Sequence, residues 1–101
     1  MTLNQIREDL RDIKYYYSRK KVFDEAFLTT GKNDVVEKSM TYNNIMRSAP
    51  PKIYDLYVSL FVKNHTQESL SDEFGCTPEY IQMLNKTMLK FIQKQFNLKG
   101  E

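Results

Sequence analysis

Tryptophan is absent from these 101 residues, and cysteine and histidine each occur once. A single cysteine excludes an internal disulfide and any zinc site built from several thiolates. Cys76 falls in an apolar slot and is expected to be a small buried hydrophobe. His65 stands beside a candidate helix cap with no acidic or thiol cluster around it, so it is expected on a surface loop, neither metal ligand nor base. No Gly-rich phosphate loop and no nucleophile–base pair occurs. The expectation is a protein that is not an enzyme, without cofactor or metal. Glycine and proline are scarce, three of each, and they bunch at the ends of apolar patterns. That scarcity disfavours a turn-rich β fold and favours long helices. No apolar run is long enough to cross a bilayer and no signal-peptide pattern opens the chain. A cytoplasmic protein without a membrane partner is expected. A strong excess of one charge is missing too: the net value of +2 is too small to argue for nucleic acid by itself.

Aromatic residues are plentiful. Seven Tyr and six Phe can carry much of a modest core. The length suits one domain, or one domain plus an arm, and the fold class expected is all-α.

One long helix is expected from Thr2, as cap, to about Phe27. Leu3, Ile6, Leu10, Ile13 and Tyr17 form a heptad-like seam along it. The seam covers little more than two heptads. It packs on the rest of the chain or, as the alternative, on a second copy. Glu8 with Asp12 and Arg7 with Arg11 are like-charged pairs four apart, so the charges do not ladder this helix together. Tyr15 to Lys21 interleaves rings with cations, which suits nucleic acid or a solvated face. Val22, Phe23, Ala26 and Phe27 resume an apolar stripe. Gly31 marks a helix end, and Asn33 or Asp34 caps a second helix to about Ser48. This helix is weakly amphipathic, with Val36, Met40 and Asn43 on one side and Val35, Tyr42, Ile45 and Met46 off it, so that it is sandwiched between neighbours or uses two faces.

Pro50 and Pro51 mark the clearest boundary. Residues 1–49 read as an N-terminal helical pair for packing or dimerisation. Residues 50–101 read as a helix-turn-helix unit with a long last helix. Pro51 opens a support helix to about Lys63 with the dense stripe Ile53, Leu56, Tyr57, Leu60 and Phe61. Gln67 to Lys86 then carries the helix-turn-helix pattern. Gly75 sits at the turn, Leu70, Phe74, Cys76, Ile81 and Leu84 are apolar, Ser71 is small, Thr66 and Thr77 can cap, and Pro78 can be the first helical residue. An ordinary αα-hairpin fits the same pattern. The last helix continues through Met88, Phe91 or Ile92, and Gln95 or Phe96, ending in a frayed Leu98–Glu101. It also carries Lys86, Lys90 and Lys94 as a rail, while Glu68, Asp72 and Glu73 make the preceding helix acidic. In helix-turn-helix docking the start of the second helix meets base edges and nearby cations meet phosphates. The candidate DNA-binding residues are therefore Thr77, Glu79, Tyr80, Gln82, Met83, Lys86 and Lys90. Gln82 can read adenine and Glu79 can accept from cytosine, but this helix has no arginine for guanine.

From Ile53 to Phe96, with "HTQESLSDEFGCTPEYIQMLNKTMLKF" at its centre, the chain resembles the region-4 helix-turn-helix of bacterial sigma factors. Together with "IREDLRDIKYYYSRKKVFDEAF" and "APPKIYDLYVSLFVKNHTQESL", the full length resembles the small phage-encoded transcriptional regulators of the ArpU and RinA-like group. The resemblance implies control of phage or mobile-element promoters by binding double-stranded DNA, with host RNA polymerase as a further partner and a homodimer as a working form. The competing expectation is a helical interaction protein that binds a host protein, RNA polymerase or a defence enzyme, without touching DNA.

Overall fold

Thr2 opens the first helix in a reciprocal cap. Its hydroxyl accepts from the Gln5 amide at 3.2 Å, and the Gln5 side-chain oxygen accepts from the Thr2 amide at 2.9 Å. Two otherwise unpaired donors of the first turn are thereby satisfied. The computed structural model describes residues 1–31 and 33–98, apart from the side chains of Phe27, Thr29 and Thr30. Helix α1 (Leu3–Ser18) buries Ile6, Leu10, Ile13 and Tyr16. The expected seam is thus consumed inside the monomer. At its end Tyr17 packs half-buried against the core as expected, and Tyr16 is buried beside it, since 3.6 residues per turn brings both toward that side.

The single helix expected over 2–27 is two. Arg19, at φ −132° and ψ 36°, breaks it. The Ser18 hydroxyl donates to the Tyr15 carbonyl at 2.6 Å, a local bond that competes with helix continuation. Helix α2 (Lys20–Thr30) restarts at once, with the Arg19 carbonyl accepting from the Val22 and Phe23 amides at 3.1 and 3.3 Å. The change of direction seats Phe23 against Tyr15 and Tyr16, ring centroids 5.7 and 5.8 Å away. Among the described side chains the expected stripe survives only at Phe23. Val22 and Ala26 are exposed, and the Phe27 side chain lies outside those described.

Asn33 caps helix α3 (Asp34–Met46), accepting from the Val35 and Val36 amides at 3.0 and 3.2 Å. Its core side is Val36, Ser39, Tyr42, Ile45 and Met46. Of the two apolar sets, Tyr42, Ile45 and Met46 thus go inside with Val36, and Met40, expected to share the side of Val36, is 54% exposed. Polar contacts with α1 explain the rotation. Tyr42 donates to Asp9 at 2.7 Å, and Lys38 bridges Asp9 at 3.1 Å and Asp12 at 2.9 Å. Deeper in, Tyr57 donates to the Asn43 oxygen at 2.7 Å, and the Asn43 nitrogen donates to the Tyr17 hydroxyl at 2.8 Å. Among the described residues no buried side-chain polar atom lacks a partner, as a low-dielectric core demands.

These phenols make the fold sensitive to alkali. Burial, then the Asp9 carboxylate, pushes the Tyr42 phenol far up, and burial does the same to Tyr57. Lys38 is held above its ordinary value, chiefly by its hydrogen bond to Asp12. In the unfolded chain the phenols release protons near pH 10 while the folded chain retains them. Stability is therefore intact below about pH 10 and falls above it, each phenol contributing up to about 1.4 kcal/mol per pH unit. Urea unfolding from neutral pH upward is expected to show this fall, with a shallower slope in Tyr57→Phe.

Pro51 starts helix α4 (Pro51–Tyr57), which widens into a π-helical turn, Val58–Val62. The Lys63 amide closes the turn onto the Val58 carbonyl at 2.8 Å. The expected span to Lys63 holds, but the wide turn is absent from the sequence pattern. It packs directly on α1 with Leu60 buried and Phe61 half-buried. Helix α5 (Gln67–Phe74) and helix α6 (Pro78–Leu98) complete the order. Helix α6 buries Ile81, Leu84, Met88, Leu89, Ile92 and Phe96 against α1 and α4. Of the expected residues 98–101, only Leu98 lies within the described chain, as the last residue of α6. One apolar cluster runs from Ile6 to Phe96 and draws on residues before and after the proline pair. The fold is all-α, with no strand among the described residues.

Candidate nucleic-acid interface

The surface of interest is built around a tight corner. Thr66 caps α5, accepting from the Ser69 amide at 3.0 Å, and Leu70 and Ser71 face inward. Gly75 then adopts φ +64°. Its amide donates to the Asp72 carbonyl at 3.3 Å, and the Cys76 amide donates to the Ser71 carbonyl at 2.9 Å. That pair of bonds is a Schellman ending, which needs a left-handed residue. An added Cβ at Gly75 would meet nothing within 4 Å, so the dihedral alone demands glycine. Gly75→Ala is expected to cost about 1–2 kcal/mol, readable as a lower melting midpoint, and Gly75→Asn less. Beyond the corner the Thr77 hydroxyl accepts from the Tyr80 amide at 3.2 Å, and Pro78 is the first residue of α6.

Two motif positions depart from expectation. Phe74 is 41% exposed and Cys76 is half-buried. Both stand at the rim of a groove of about 290 Å³ shared with Lys52, Asp55, Tyr80 and Leu84. The chain turns away at Gly75 before the Phe74 ring can follow Leu70 into the core, whereas Cys76, just past the turn, packs on the edge of the core. His65 lies in the turn before α5, its ring nitrogen 3.7 Å from Glu73.

Six of the seven candidate residues, Thr77, Glu79, Gln82, Met83, Lys86 and Lys90, are exposed, and Lys94 with them. Glu79, Met83, Lys86 and Lys90 follow one stripe at spacings of four, three and four, and Gln82 stands a turn before Lys86. Tyr80 turns to the other flank. It is half-buried in the groove, with the Lys52 ammonium 5.9 Å from its ring centre and 3.4 Å from its hydroxyl. No ion pair among the described residues engages Lys86, Lys90 or Lys94.

Sequence reasoning missed the opposite flank of α6. There Arg7, Arg11 and Lys14 of α1 line a groove of about 340 Å³ with Gln67, Asn85 and Leu89. The available signal was the 7–11–14 spacing, which puts three cations on one helical face. The basic–aromatic segment is partly used within the monomer. Arg19 stacks over Tyr15 at 5.6 Å, Lys20 pairs with Asp24, and Tyr16 donates to Asp24 at 2.7 Å. Among the described residues no cluster of three His, Cys, Asp or Glu side chains is suited to a metal ion, and no helix is long and apolar enough to cross a membrane. No protein-family model, curated protein or solved structure matches the chain.

Proposed function

We propose that this chain is a transcription regulator that binds promoter DNA through α5 and α6 as a sigma-region-4-like helix-turn-helix. The observation that carries the reading is the Gly75 corner with an open lysine edge beside it. Gly75 at φ +64° turns α5 into α6, and Lys86 and Lys90 then stand exposed and without acidic partners among the described residues. Unpaired cations along one helix edge suit phosphates, while Glu79 and Gln82 at the start of α6 suit base edges. Promoters of phage or mobile-element genes are the target class, as the resemblance implies, with host RNA polymerase as the partner that a small regulator of this kind would engage. Selection of fragments from a random duplex pool tests the reading. Enrichment of a defined site, with affinity falling steeply as salt rises, supports it. Enrichment of a two-fold symmetric site adds a dimer. Absence of enrichment together with absence of binding at low salt overturns it.

A second reading has its own observation. Exposed Phe74 stands at the rim of the groove with Cys76 and Tyr80, an apolar surface that suits a protein better than a duplex. In that reading the chain binds a host protein, and co-purification of such a partner without DNA binding favours it.

A further inference from the structure

We propose that Arg7, Arg11 and Lys14 form a second phosphate-binding strip that carries the DNA contact from α6 onto α1. The inference rests on the reading of α6 as a duplex-binding helix.

Arg7, Arg11 and Lys14 share one face of α1, and like charges four apart destabilise an isolated helix by a few tenths of a kcal/mol. Of the acids on α1, Asp9 and Asp12 are engaged elsewhere, and exposed Glu8, three residues before Arg11, forms no ion pair among the described residues. Asp9 and Asp12 point to α3, where Lys38 bridges both and Tyr42 donates to Asp9. Arg7 donates only to the Asn4 side chain at 3.3 Å, and no ion pair among the described residues reaches Arg11 or Lys14. The row is therefore a repulsive array left open to an external anion.

Its position selects the anion. The groove beside the row is closed by Gln67 of α5 and by Asn85 and Leu89 of α6, and no carboxylate lines it. Asn85 adjoins Lys86 and stands one turn past Gln82, so the row is continuous with the exposed stripe of α6 on the flank away from Tyr80. The apolar side chains that line it, Leu10, Phe61 and Leu89, are buried or half-buried, whereas a protein partner would want an exposed one. Seven residues of helix span about 10 Å, close to three base-pair steps of about 3.4 Å along the duplex axis. Guanidinium forks suit phosphate oxygens, and the two amides suit phosphate or sugar. The row also brings arginines to a surface whose own helix has none between Pro78 and Leu98.

The test compares wild type, R7Q/R11Q/K14Q and K86E/K90E by fluorescence anisotropy with a labelled duplex across a salt series. Melting curves of each variant check folding; glutamine keeps helix propensity, and Arg7 and Arg11 are exposed. Each released counterion contributes about 0.9 to the log–log salt slope, or about fivefold in affinity near 0.15 M salt. The triple variant is expected to lose about two to three units of slope and about 30- to 100-fold in affinity, and to select the same sequences. Wild-type slope and affinity in the triple variant, with binding abolished in K86E/K90E, overturns the strip and leaves the α6 reading standing. Loss of poly-L-glutamate binding by the triple variant with duplex affinity intact assigns the row to an acidic polypeptide and overturns the strip. Wild type that binds no duplex at low salt overturns both.

Discussion

Lys86→Glu combined with Lys90→Glu is expected to reduce duplex affinity by about 100-fold or more near physiological salt, and to flatten the salt dependence of what remains. The reason is counterion release. A lysine on a phosphate frees condensed cations and is worth about fivefold at that ionic strength, so losing two contacts costs about 30-fold. Reversing the charge adds repulsion from the same phosphates. Both side chains are exposed and outside any ion pair among the described residues, so their substitution removes no internal contact and the melting midpoint should barely move. Anisotropy titrations at several salt concentrations read the effect. Unchanged affinity in the double variant would remove α6 from the interface and leave the Phe74 groove as the better-supported surface.

Leu70→Ala is expected to be the most damaging single truncation at the corner, costing about 3–4 kcal/mol, whereas Phe74→Ala four residues later costs under about 1 kcal/mol. Leu70 is fully buried and joins α5 to the common core. Its removal leaves a cavity beneath a helix of only eight residues, which has little other apolar anchorage. Phe74 already has much of its ring in water. For a domain of this size 1 kcal/mol moves the midpoint by about 4–8 °C, so Leu70→Ala should lower it by more than about 12 °C. Calorimetry of both variants is the check. A comparable loss from Phe74→Ala would mean that the groove is closed in solution. Because α5 braces the start of α6, Leu70→Ala should also weaken any DNA binding, while Phe74→Ala should leave it unchanged and impair a protein partner instead.

The two residues show how far the sequence could be read. Leu70 and Phe74 occupy equivalent places in the motif, and both have helical neighbours of the same character. What separates them is distance to the corner, five residues for Leu70 and one for Phe74: the left-handed turn at Gly75 follows Phe74 immediately and carries the chain off before its ring can be covered. The candidate surface on α6 was legible because exposure there follows the amphipathic period. Tyr80 was not, since its flank depends on Lys52 of α4, 28 residues away. The break at Arg19 was also hidden. The apolar spacing continues through it, and the turn becomes favourable only because Phe23 finds Tyr15 and Tyr16 and α2 finds α3.

Caps at Thr2, Asn33, Thr66 and Thr77, the stop at the proline pair, the glycine corner and the all-helical class were written into local sequence. Each depends on groups within about one turn of one another, and hydrogen bonds and sterics at that range act before any tertiary contact forms. Tertiary structure alone decided which charges of α1 are neutralised. Asp9 and Asp12 meet a lysine 26 or more residues away, while Arg7 and Arg11 on the same helix meet no carboxylate among the described residues. Pairing of that kind is set by which helices pack together, and burial of distant apolar faces, not the spacing of the charges, chooses those neighbours.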